Sequence, residues 1–211
     1  MEAENPMSDV QRLKKRSKAS APAGETPLGR EDWIKAAIVM LAENSVDALR
    51  IDDLAKRLGV TKGSFYWHFD TREALLNAVL ETWRARTTSD IESYIRHTTG
   101  SPSGRINNLL RIAISPRPDV PGGPLELSLR DWARRDANVA RVINDVDRER
   151  IGFLTRLYIE AGLDQIAAEE MAMAQLAFTI GIRLVMFEGS RDDLERRWKM
   201  AKTLFVPSPT E

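Results

Sequence analysis

The four residues Leu58-Gly59-Val60-Thr61 separate two short helical patterns, and that spacing restricts the fold more than any other stretch of the chain. Upstream, Leu54, Ala55 and Leu58 share one face of a helix expected over 51–58. Gly59 is placed to end that helix in the left-handed conformation that other side chains resist. Val60 can pack into the resulting angle, and Thr61 stands where the next helix, expected over 62–68, needs an N-cap. Two short helices joined this tightly make a helix-turn-helix.

Helical phase divides the second of them. Phe65 and Phe69 are four apart and fall on one face, the candidate core. Lys62, Gly63, Ser64, Trp67 and His68 are left to the exposed side. Tyr66 lies between, where its ring can pack and its hydroxyl can reach a phosphate oxygen. The second helix of such a motif enters a DNA major groove with its N-terminal residues first. From Lys56 to Arg72 the basic residues Lys56, Arg57, Lys62 and Arg72 face one acid, Asp70, so a local positive patch is expected. Helix N-termini at Thr61 and Thr71 add backbone N–H groups suited to phosphate.

The same periodicity runs through the rest of the chain. Ile34, Ala37, Ile38 and Leu41 predict a first helix over about 30–44, which ENSVDAL (43–49) breaks. Thr71 is placed to cap a long helix reaching about His97, with Leu75, Leu76, Val79, Leu80 and Trp83 as its stripe. TTGSPSG (98–104) ends that helix, RINNLLRIAI (105–114) forms the next, and SPRPDVPGGP (115–124) reads as a rigid loop. Helices are then expected over about 125–135, 138–161 (ending at Gly162), 165–188 (ending at Gly189) and 191–204. Strand alternation is missing throughout, so the fold class is all-α, a small three-helix N-terminal unit followed by a larger bundle.

Composition removes several functions. The formal net charge is zero, so any nucleic-acid or membrane reading rests on local charge. Without cysteine there is no disulfide, thiolate metal site or cysteine nucleophile. The two histidines, His68 and His97, are too far apart to suggest a metal or catalytic set. With neither a Glu-x-x-His pair nor a Gly-rich phosphate loop, neither an enzyme nor a cofactor is expected. The polar N-terminus lacks a signal sequence, and Met171–Phe187 is short for a span and carries Arg183. A soluble cytoplasmic chain without membrane contact is expected. The basic run RLKKRSK (12–18) is either a solvated tail or an arm for phosphate and minor-groove contacts.

The run IDDLAKRLGVTKGSFYWHFDTREALL (51–76) resembles the DNA-binding signature of the tetracycline-repressor (TetR) family, and the resemblance extends back to about Arg30. Its Gly-Val-Thr, Tyr-x-His-Phe and Arg-Glu-x-Leu-Leu elements keep the family's spacing. The resemblance implies an all-helical homodimer of about nine helices whose first three bind double-stranded DNA. On that reading residues 1–29 are a mobile basic tail, 30–74 the DNA-binding domain with its motif at about 50–69, and 75–211 a ligand-binding and dimerisation domain. Carried over by position, Lys62, Gly63 and Ser64 would face bases, while Tyr66, His68 and Arg72 would hold phosphates. Thr61 would cap the recognition helix and also reach the DNA backbone, and Trp67 would lie against a sugar or a thymine methyl. The chain departs from the family at Arg50, Ile51, Asp52 and Asp53, where many members have Thr or Ser and then a DNA-touching residue. The two acids suit the helix dipole but repel phosphate where they point outward, leaving Arg50 as the expected backbone contact.

In the C-terminal part, Met171–Phe187 is apolar nearly all round and calls for burial on more than one face, against the bundle and against a second subunit that Gly181 would let approach. Leu194, Trp198, Ala201 and Leu204 or Phe205 recur at helical spacing. This pair of helices suits the four-helix dimer interface that the resemblance implies, and a palindromic operator demands a dimer. The resemblance further implies a repressor that a small-molecule effector releases, with Trp83, Leu110, Trp132, Phe153, Tyr158, Phe178 and Arg183 as candidate lining and ordinary core as the alternative. Arg183 needs a partner, which is Glu169, Glu170, Glu188, a residue of the other subunit or an anionic effector. RDWARRD (130–136) is expected as a solvated helix end with Trp132 turned inward. The alternative function is a DNA-binding dimer with a closed core, controlled by a protein partner or acting as an activator.

Overall fold

The computed structural model describes residues 28–114, 122–185 and 191–207. The regular elements among them are α1 (Arg30–Glu43), a single 3-10 turn (Val46–Ala48), α2 (Ile51–Leu58), α3 (Lys62–Phe65), α4 (Arg72–Thr87), α5 (Ser89–His97), α6 (Pro102–Ile114), α7 (Gly122–Ala133), α8 (Ala137–Glu160), α9 (Gln165–Leu184) and α10 (Arg191–Phe205). The fold is all-α, as its periodicity implies. The basic run 12–18, residues 115–121 of the Pro-rich stretch and the expected stop at Gly189 lie outside the described residues. No helix among the described residues is long and apolar enough to cross a membrane.

Several elements differ from expectation, among them α9, which ends at Leu184 with Val185 already extended, short of the expected 188. The long helix after Thr71 is broken at Thr88, which takes φ −119° and ψ −89°. The hydroxyls of Thr87 and Thr88 donate to the Arg84 carbonyl at 3.2 and 2.9 Å, and Ser89 donates to Ala85 at 3.2 Å. Three consecutive hydroxyls on one turn compete with the backbone ladder and redirect the chain. The next helix starts inside the expected linker: Ser101 Oγ accepts from the Gly104 N–H at 3.2 Å, and Pro102 opens α6, where a missing N–H costs nothing. Helix α7 likewise begins at Gly122 within the expected loop, because Pro124 falls in the first turn, whose N–H groups have no intrahelical acceptor.

The described residues form two compact units, one from 28–83 and 122–139, the other from 84–114, 140–185 and 191–207. This differs from a division at residue 74, since α7 belongs with the N-terminal helices. Ser128 Oγ donates to the Leu41 carbonyl at 2.6 Å, satisfying an acceptor that the C-terminal end of α1 leaves open. Arg135 meets Asp47 at 2.9 Å, tying the end of this segment to the 3-10 turn.

In the N-terminal unit Val60 and Trp132, both expected inward, are half-buried, whereas the stripes expected inward are buried: Ile34, Ala37, Ile38 and Leu41 on α1, Leu54, Ala55 and Leu58 on α2, and Leu75, Leu76, Val79, Leu80 and Trp83 on α4. Trp33 joins them, fully buried. In the second unit, Ile95, Ile106, Leu110, Leu157, Leu176 and Ala201 belong to one apolar cluster drawn from α5, α6, α8, α9 and α10. Helix α8 stops as expected at Gly162, whose φ of 100° and N–H bond to Ile159 at 2.9 Å close a left-handed cap. On α10 it is Phe205, not Leu204, that turns inward.

Candidate nucleic-acid interface

The turn between α2 and α3 is set by Gly59, which takes φ 73° and ψ 26°. The Val60 N–H reaches back to the Ala55 carbonyl at 3.0 Å, so the turn closes the end of α2. A Cβ at Gly59 would meet nothing within 4 Å, so the need for glycine here is backbone strain alone. Thr61 occupies the N-cap position of α3, but its hydroxyl makes no capping bond, contrary to expectation. Its carbonyl instead accepts from the Ser64 N–H at 3.0 Å, which closes the first turn through the backbone. The expected helix over 62–68 is regular only to Phe65. Tyr66 and His68 then bond back to Gly63 and Phe65 at 3.2 and 2.9 Å, a tighter i→i+3 pattern.

The Phe69 N–H still bonds to the Phe65 carbonyl at 3.0 Å, an i→i+4 step that keeps the two on one side, their rings stacked with centroids 5.6 Å apart. Both are buried, and Trp33 meets Phe65 edge-on at 5.3 Å. The Arg30 guanidinium lies 4.7 Å above the Phe69 ring. With this anchor behind it, α3 and its turn leave Tyr66 52% and Trp67 87% exposed. Lys62 and Gly63 are also exposed, whereas Ser64 and His68 are half-buried. Arg50 is exposed at the N-cap of α2.

The charges are less free than the sequence suggests. Lys62 Nζ donates to Asp52 Oδ2 at 3.0 Å, and that hydrogen bond, with the attraction between the two charges, raises its pKa above the ordinary lysine value. Arg57 is paired with Glu43 at 2.8 Å. Arg72, expected to hold a phosphate, turns inward: Nε donates to the Leu49 carbonyl at 2.8 Å and Nη2 to the Val46 carbonyl. It locks the 3-10 turn against the start of α4, where Thr71 Oγ1 caps the Ala74 N–H at 3.1 Å. Of the expected patch only Lys56 stands exposed without one of these contacts. Asp52 was legible as an acid near the interface, but its partner ten residues away depends on the angle between two helices, which no spacing rule supplies.

The expected effector residues do not make one lining. Trp83, buried, and Trp132, half-buried, belong to the N-terminal unit. Leu110, Phe153, Tyr158 and Phe178 pack together in the second unit's core. The Tyr158 hydroxyl donates to Gln175 and meets the Phe205 carbonyl at 2.9 Å, and burial pushes its pKa well up. Arg183 donates to the Ala113 carbonyl at the end of α6, 3.1 Å away. An open surface groove of about 450 Å³ lies at the N-terminus of α9, lined by Asp164, Gln165, Ile166, Ala167 and Glu170, none of them an expected pocket residue.

Residues 34–79 match the family model described as bacterial regulatory proteins, tetR family. The tetracycline repressor protein class A from transposon 1721 of Escherichia coli is 46% identical over 60 residues, 28% of this chain and 28% of that protein. A probable acrEF/envCD operon repressor of Escherichia coli (strain K12) is 22% identical over 175 residues, 81% of this chain and 76% of its own length. A TetR transcriptional regulator from Legionella pneumophila shares the fold with a TM-score of 0.71 at 15% identity, over 86% of this chain and 99% of that one. Residues 34–79 therefore carry a DNA-binding segment like that of the bacterial regulatory proteins of the tetR family, and the helical fold is shared with a solved TetR regulator over most of the chain.

Proposed function

We propose that the chain is a sequence-specific DNA-binding transcriptional regulator, acting as a homodimeric repressor on a palindromic operator. The observation that carries the reading is the division of residues 62–69: Phe65 and Phe69 are buried while Lys62, Tyr66 and Trp67 stand in solvent. Tyr66 and Trp67, in the turn that follows this four-residue helix, leave most of their ring surface in solvent, and both suit a sugar–phosphate surface. Lys62, Gly63 and Ser64 face the bases, and Tyr66, Trp67, His68, Thr61 and Arg50 meet the backbone. The names of the two Escherichia coli relatives support the sign of regulation. Exposed Met173 and Leu184 on α9 and Met200 and Leu204 on α10 support a second copy as the cover of that face. Release by a small-molecule effector completes the proposal. The packed Phe153–Tyr158–Phe178 core favours the second reading, a DNA-binding dimer with a closed interior under a protein partner.

Genomic fragments retained by the protein test the first part, and Tyr66→Ala should weaken binding to all of them, about tenfold or more, while reducing the salt dependence. A Tyr66→Ala protein that binds as tightly as the parent would remove Tyr66 from the interface. Stabilisation against heating by small lipophilic compounds separates the effector reading from the closed core.

Arg72 behaves differently. Arg72→Ala leaves the Leu49 carbonyl without its donor and the Val46 carbonyl with the Leu49 N–H alone, an expected cost of about 1–3 kcal/mol. DNA affinity should fall in step with stability while the salt slope stays unchanged. A phosphate contact would instead lower the slope by about one.

A further inference from the structure

Lys62 is the first residue of α3, the end that leads into a major groove. Its ammonium is already held by Asp52 Oδ2 at 3.0 Å, and the two side chains are 51% and 65% exposed. So exposed a pair adds little to folding. For DNA binding in general the acid is unfavourable, because it cancels a cation that would neutralise phosphate. A carboxylate beside the leading cation is tolerated in the groove only opposite a donor, and the base-edge donors there are the N4 amino group of cytosine and the N6 amino group of adenine.

We infer that Asp52 and Lys62 form one reading unit that selects a G·C base pair in a single orientation, Lys62 donating to guanine O6 and N7 and Asp52 accepting from cytosine N4. This rests on the DNA-binding reading above and assigns a specificity-determining role to an acid on α2. The match is one of spacing as well as type. Guanine O6 and cytosine N4 are hydrogen-bonded to each other, so acceptor and donor lie about 2.9 Å apart on the groove edge. The protein sets donor and acceptor 3.0 Å apart, in the complementary order. Of the three ammonium protons one goes to Asp52 and two remain for O6 and N7.

The other three pairs each lose part of this. C·G sets the N4 protons against the ammonium and O6 against the carboxylate. A·T likewise brings a donor to Lys62 and an acceptor to Asp52. T·A keeps O4 and N6 in the right order, but it replaces the guanine N7 beside Lys62 with a methyl group and places adenine N7 against the carboxylate.

The test is selection from random duplexes with the full chain, comparing the parent with Asp52→Ala and with the exchanged pair Asp52→Lys and Lys62→Asp in one protein. Both positions are exposed, and matching melting temperatures verify that the variants are folded. The parent should enrich one G·C pair per half-site at which C·G is about tenfold or more weaker. In Asp52→Ala that preference should fade while the other positions keep theirs, and binding to unrelated duplex should strengthen with a salt slope steeper by about one. The exchanged protein should prefer C·G at the same place. An Asp52→Ala profile identical to the parent's at every position, or an exchanged protein that keeps G·C, overturns the inference. A parent that enriches no sequence removes the regulator reading and this inference with it, a result distinguishable because the parent itself is silent.

Discussion

Phe65→Ala is expected to lower the stability of the N-terminal unit by about 3–5 kcal/mol and to abolish specific DNA binding with it. Phe65 is fully buried, and three aromatic rings touch it: Trp33 at 5.3 Å, Tyr66 at 5.2 Å and Phe69 at 5.6 Å. Alanine removes the ring and leaves a cavity that these rigid neighbours refill poorly. Helix α3 has four residues and no side-chain cap, so it has almost no helical stability of its own. Its position depends on Phe65 from within and on Phe69, under the Arg30 guanidinium at 4.7 Å, at the following turn. Denaturant unfolding should show the lowered midpoint, and amide exchange should speed up across residues 61–69. Tyr66 and Trp67 contribute no comparable burial, so their alanine variants should keep the parent's midpoint while losing DNA affinity. An unshifted midpoint for Phe65→Ala would show that α3 is held by something other than this aromatic anchor.

That division of labour was readable from phase alone, since a four-residue spacing needs only the helical repeat. So were the limits of α1 and α2, where a regular apolar stripe meets Gly29 and Gly59. The break at Thr88 was not, because apolar positions continue in phase through Ile91 and Ile95 and hide three adjacent hydroxyls that bond to their own helix. Arg72 shows a further limit. Its place beside the recognition helix is the same whether it points outward or in, and the Leu49 and Val46 carbonyls that capture it are presented together only once the chain turns at 46–49. Ser128 is the extreme case, its partner Leu41 lying 87 residues away with nothing local to announce it.

The same physics makes Tyr158 the most sensitive polar position of the second unit. One hydroxyl joins three helices, donating from α8 to Gln175 on α9 and meeting the Phe205 carbonyl at the end of α10. Tyr158→Phe keeps the ring and takes the donor from two buried acceptors, an expected loss of about 1–3 kcal/mol. Tyr158→Ala adds a cavity and should raise the loss to about 3–5 kcal/mol. Burial raises the phenol pKa above its ordinary value, so the folded chain keeps a proton that the unfolded chain gives up. The stabilisation is therefore complete below the ordinary tyrosine value of about 10 and declines as pH rises from there toward the folded value. Denaturant midpoints between pH 7 and pH 11 should show the parent falling toward Tyr158→Phe at the alkaline end. Parallel curves across that range would mean that the proton is not what holds α10 in place. Leucine at Gln175 sharpens the test: in the Tyr158→Phe background it removes one acceptor that has lost this donor and should recover part of the loss, whereas in the parent it leaves the hydroxyl bonded to Phe205 alone and should cost stability.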